Sequence, residues 1–74
     1  MVLALTFDPT EQRRRRRRNR ITQADIAKRL GISDGALSQY ENGKTPLPFE
    51  LTGEDYELAM AQALIDRANG GQPQ

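Results

Sequence analysis

Between residues 21 and 68 apolar side chains recur at spacings of three and four, interrupted at Gly and Pro, the pattern of short helices each buried on one side. Thr22 and Asp25 open one such helix, QADIAKRL, in which Ile26, Ala27 and Leu30 share a face and Gly31 ends the run. Ser33 caps another, DGALSQYEN, with Leu37, Tyr40 and Glu41 inward or flanking and Gly43 as terminator. The two prolines of KTPLP force a loop. Beyond it Thr52 and Asp55 form a capping-box pair at the head of the longest run, GEDYELAMAQALIDRAN. Upstream, Asp8, Pro9 and Glu11 have the order of an N-cap, a first helical position and a capping-box partner, which predicts a helix from Pro9 to about Arg18. Before that, VLALTF reads either as a short strand or as a loosely docked arm.

These elements predict an all-α, compact helical bundle in one domain over residues 1–69. It comprises an N-terminal arm (1–8), a helix-turn-helix (22–43) and a long C-terminal helix (53–69), with a flexible tail at 70–74. The central pair of helices is joined by only LGIS, in which Gly31 takes a left-handed turn and Ile32 plugs the angle between them.

Composition narrows the chemistry. With 74 residues and 36 % hydrophobic content the core is thin, so a partner chain is expected to share the load. There is no cysteine and no histidine, which excludes disulfides, thiolate or imidazole zinc sites and imidazole acid-base catalysis. The carboxylates are scattered over caps and helix surfaces without a nucleophile or phosphate loop, so neither an enzyme nor a cofactor is expected. The apolar start, MVLALTF, is too short for a membrane span and lacks the basic flank and cleavage site of a secretory signal; a cytoplasmic protein without a membrane partner is expected.

Charge is divided between the two ends. Residues 1–44 carry ten Lys or Arg against five acids, a net +5, whereas residues 45–74 carry one against five, a net -4. The first part suits a polyanion, and the acidic second part suits a protein partner if it has one. Six consecutive arginines, Arg13 to Arg18, dominate the basic end. At about 100° per residue they surround a helix, so at least one must face the protein.

The stretch TQADIAKRLGISDGALSQYENGKT resembles the DNA-binding domain of the Cro and phage-repressor (XRE-type) family. The likeness is carried by Gln23, Ala27, Gly31, Ile32, Leu37 and the ENGK of residues 41–44, and it extends over residues 13–48. It implies a lambda-repressor-like bundle that binds double-stranded DNA. Asp34, Gly35, Ser38 and Gln39 would face bases in the major groove. Phosphates would be held by Gln23 at a helix start, by Asn42, Lys44 and Thr45 after the third helix, and by Arg13, Arg14 and Arg20. Arg16 would pair with Glu41 inside the fold, where a guanidinium serves better than an ammonium.

The chain also departs from that pattern. Asp34 stands where the family often has glutamine or arginine, and either accepts from a cytosine or stabilises its own helix start. Gly35 and Ala36 have no hydrogen-bonding side chain, which leaves base reading to Gln39 and Ser38 together with groove shape. The first helix lacks the aliphatic residues that usually enter the core and leaves only arginine stems, Gln12 and Phe7 for it, so either VLALTF folds back to fill the gap or the helix is loosely held. On the last helix Leu58, Ala61, Ile65 and Ala68 form a stripe, broadened by Ala59, Met60, Ala63 and Leu64. It either closes the monomer over Leu30 and Leu37 or joins two copies in a homodimer. The expected function is that of a small sequence-specific regulator, a repressor or autorepressor of phage or mobile-element type. The alternatives are an antitoxin-like adaptor that binds another protein and a non-specific arginine-driven binder of nucleic acid.

Overall fold

The computed structural model describes residues 7–70, and among these it contains four helices and no strand. They are α1 (Pro9–Arg18), α2 (Gln23–Leu30), α3 (Asp34–Glu41) and α4 (Gly53–Ala68). The fold is an all-α helix-turn-helix bundle. VLALTF up to residue 6 and the tail from residue 71, with the strand, arm and tail readings made for them, lie outside the described residues.

Local chemistry sets each boundary. Asp8, Thr22 and Ser33 accept from backbone N–H groups in the first turns of α1, α2 and α3, and Thr52 with Asp55 completes a reciprocal capping box on α4. The capping box expected at α1 does not close, because Glu11 turns to Arg14 instead. Gly31 has φ +72° and ends α2 in the left-handed conformation that makes the tight turn into α3. Among the described residues, three other than glycine share that conformation: Arg20 in the α1–α2 turn (φ 59°) and the consecutive Phe49 and Glu50 (φ 59° and 62°) before α4.

The apolar core lies among α2, α3 and α4. Ile26 and Leu37 are fully enclosed, and Ala59, Met60 and Ala63 bring one face of α4 onto them. Burying each large aliphatic contributes about 1.5–3 kcal/mol. Ile32 is partly buried against the same cluster and fills the helix-turn-helix angle. Helix α1 brings no aliphatic side chain to this core; its buried residues are Gln12 and Arg16. Phe7 does reach the body and packs on the backbone of Gly53, where an added Cβ would lie 2.6 Å from the Phe7 Cβ. Among the described residues, the gap left by the missing aliphatics is lined by hydrogen-bonded polar groups, two tyrosines and Phe7.

Candidate nucleic-acid interface

Helix α3 turns Leu37, Tyr40 and Glu41 inward, and successive residues advance by about 100°, so Gly35, Gln39 and Asn42 stand on the opposite side. Asp34, Gly35, Gln39 and Asn42 are all exposed, with Ser38 half-buried beside them. Just past α3, Gly43 N–H donates to the Tyr40 carbonyl and Lys44 N–H to the Gln39 carbonyl, both at 2.9 Å. This folds Lys44 and Thr45 back as an exposed turn at the helix end. An exposed ridge with few side chains of its own is thereby flanked by a polar turn.

Beneath the ridge Glu41 is the centre of a buried network. Arg16 Nε donates to its Oε2 at 2.7 Å and Nη2 to its Oε1 at 3.0 Å, while the third nitrogen, Nη1, donates to the Ile21 carbonyl at 2.7 Å. The Tyr56 hydroxyl donates to Glu41 Oε2 at 2.5 Å and Gln23 Nε2 to Oε1 at 3.1 Å. Burial alone would raise the Glu41 carboxyl, but these donors outweigh it and hold the group below the ordinary carboxylate range. Burial, together with the adjacent carboxylate, pushes the Tyr56 phenol up. The network ties the ends of α1 and α3 to the start of α2, and so fixes the helix-turn-helix against the rest of the bundle.

Gln23 consequently has a partner inside the protein. Its side chain turns to Glu41, and what the start of α2 offers to an anion is the backbone of its first turn, where Thr22 already occupies the N–H of Asp25.

The arginine run is divided by the same packing. Arg16 faces Glu41 of α3, whereas Arg15 donates through both terminal nitrogens to Glu57 of α4, with one bond at 3.0 Å. Gln12 lies between them: its Nε2 donates to Glu57 Oε2 at 2.7 Å and to the Gly53 carbonyl at 3.0 Å, and its Oε1 accepts from the Tyr40 hydroxyl. Burial would raise Glu57, yet Arg15 and Gln12 bring it below the usual range. Arg13 and Arg17 stand between the Arg16 side of α1 and its outer side, at the border of a concavity that Thr10, Arg14 and Arg18 also line. Arg14 and Arg18 stand about half a turn from Gln12 and Arg16 and point away from the body. Arg14 pairs with Glu11 there. Arg14 is therefore not beside the α3 ridge, because its angular position is set by the burial of Arg16 two residues on. Arg20 is exposed in the turn before α2, and Arg67 of α4 donates to the carbonyls of Asn19 and Arg20.

Sequence reasoning missed Arg15 and Arg67 as structural residues, and it offered Gln12 only as one of the few α1 side chains left to face the core. The buried side of α1 carries no apolar marker that would have singled out Gln12 or Arg15. Helix α4 is two-sided: Tyr56, Ala59, Met60 and Ala63 are buried, while Leu58, Ala61, Ile65 and Ala68 are exposed, Leu58 and Ile65 to 59 % and 51 %. Most acids of this half have partners in the same chain, since Asp66 pairs with Arg29 at 2.8 Å, Glu57 with Arg15, and Asp55 with Thr52.

A family model described as a helix-turn-helix domain matches residues 12–64, which is most of the chain and runs from the buried Gln12 well into α4. The chain belongs to this family. No curated protein and no solved structure matches the chain significantly. Membership of the helix-turn-helix family points to DNA binding and regulation of transcription, and to a non-enzymatic role. Among the described residues, no helix of this helix-turn-helix domain is long and apolar enough to cross a membrane, and no cluster of His, Cys, Asp and Glu is placed to hold a metal ion.

Proposed function

We propose that the domain is a sequence-specific binder of double-stranded DNA that acts as a small transcriptional repressor, with α3 as its recognition helix. The observation that carries this reading is the exposed ridge of α3: Gly35 and Gln39 project from a helix whose other side is locked by Leu37, Tyr40 and Glu41. Gln39 offers a bidentate donor and acceptor pair that suits adenine, and Gly35 lets the helix backbone come close to the groove floor. Ser38 and Asp34 lie at the edges of that surface. Phosphates are held by Asn42, Lys44 and Thr45 at one flank and by the start of α2 at Gln23 with Arg20, Arg13 and Arg17 at the other.

Two copies pair through the exposed stripe Leu58, Ala61, Ile65 and Ala68, whose alanines allow close approach. The half-site centres are then about 10 base pairs apart in an inverted repeat. The internal pairing of the acids weighs against an acidic docking surface for a foreign protein. Selection of bound fragments from random duplex DNA tests this reading: enrichment of one inverted repeat is expected. Equal recovery of unrelated sequences would leave only the arginine-driven, non-specific alternative.

A further inference from the structure

Four arginines on α1 have no place in the buried network. Arg13, Arg14, Arg17 and Arg18, with Thr10, line a shallow concavity of about 470 Å³ on the outside of the helix. Only Arg14 has an acidic neighbour there, Glu11, and that pair is exposed. Arg13 with Arg17 and Arg14 with Arg18 are neighbours one turn apart, so each pair repels unless an anion lies between its members. The helix dipole favours positive charge in the last turn, which accounts for Arg17 and Arg18 but not for Arg13 and Arg14.

Direction decides what this surface can reach. Helix α3 presents Tyr40 and Glu41 to α1, and its exposed ridge is the reverse side; α1 presents Gln12 and Arg16 in return, and Arg14 and Arg18 are its reverse side. The two exposed faces therefore look away from each other across two packed helices, a separation of about 20 Å from interaxial distance and side-chain length. A straight duplex seated on α3 cannot bend round to Arg14 and Arg18.

We propose that the outer face of α1 is a second phosphate-binding surface that holds a separate DNA duplex while α3 is seated on the first, so that the domain bridges two DNA segments. This rests on the DNA-binding reading above. Guanidinium groups suit it, since each can grip a phosphate with two hydrogen bonds and needs no base contact. Binding at this face is consequently indifferent to sequence and strongly dependent on salt.

The test uses the full chain and an immobilised short duplex carrying the selected motif, to which the protein is bound before a labelled duplex of scrambled sequence is added at low salt. Wild type is expected to capture the labelled duplex. Arg14→Gln/Arg18→Gln should keep its helicity and melting behaviour and its affinity for the immobilised duplex, and lose capture about ten-fold for two missing phosphate contacts. Undiminished capture by that variant would mean that bridging runs through the recognition helix of a second protomer, and would overturn the proposal. So would capture of a labelled RNA or an acidic peptide but not of duplex DNA. Failure to bind the immobilised duplex at all is seen before the second duplex is added, and it overturns the DNA-binding reading itself.

Discussion

Glu41 is a buried carboxylate whose oxygens face Arg16, Tyr56 and Gln23, and its environment makes two effects measurable. Arg16→Ala removes the one cation in contact with it among the described residues and is expected to destabilise the fold by about 3–5 kcal/mol, the cost of breaking a buried pair. Arg14→Ala or Arg18→Ala, on the outer face, should stay within about 0.5 kcal/mol, and urea denaturation of the three variants distinguishes them. The second effect is on pH. Because the folded-state pKa of Glu41 is lowered, its contribution is fully present above the unfolded carboxyl value of about 4.3 and is lost as pH falls through the lower folded value. Melting temperature should therefore drop on acidification below that point, and drop less steeply in Glu41→Gln; Glu57, lowered by Arg15 and Gln12, leaves a residual slope. The Arg16–Glu41 pairing could be read in the sequence only through a family resemblance. Gln12 could be read only as one of the few α1 side chains left to face the core, and none of its partners could be named, because a glutamine beside six arginines has the signature of a surface position. Its burial depends on Tyr40 and Gly53, which lie 28 and 41 residues further along the chain.

The helices themselves were legible because their ends are set by neighbours in sequence. The caps at Asp8, Thr22, Ser33 and Thr52 and the stop at Gly31 are interactions over two to four residues, and the four helices start where those residues place them. The turn at Arg20 was not legible, since a left-handed arginine carries no local signal and is held by Arg67 from the far end of α4. Function on α3 and α1 can be tested helix by helix. Gln39→Ala should relax base preference at one position of each half-site, at a cost of about 1–3 kcal/mol in discrimination, and a repeated selection would show the change. Replacing Arg13, Arg17 and Lys44 with glutamine should instead weaken binding to all sequences. It should also flatten the log-log salt dependence by up to about 0.9 per true contact, as read by fluorescence anisotropy over a salt series.

In the proposed dimer, the stripe on α4 would set the arrangement of the recognition helices. Ile65→Asp places a charge in the centre of the proposed two-fold interface and should yield a monomer in sedimentation. The variant should lose most affinity for the full inverted repeat while keeping that for one half-site; an already monomeric wild type would exclude the dimer. The bundle is held together in two different ways: α2, α3 and α4 meet through hydrocarbon, while α1 is attached through Gln12, Arg15 and Arg16. Apolar attachment carries a large heat-capacity change and weakens on cooling, whereas a hydrogen-bonded seam exposes little hydrocarbon when it opens. Cold and heat are therefore expected to act on different joints of this molecule: hydrogen exchange on chilling should rise first between the helix-turn-helix and α4, while the arginine helix keeps its grip.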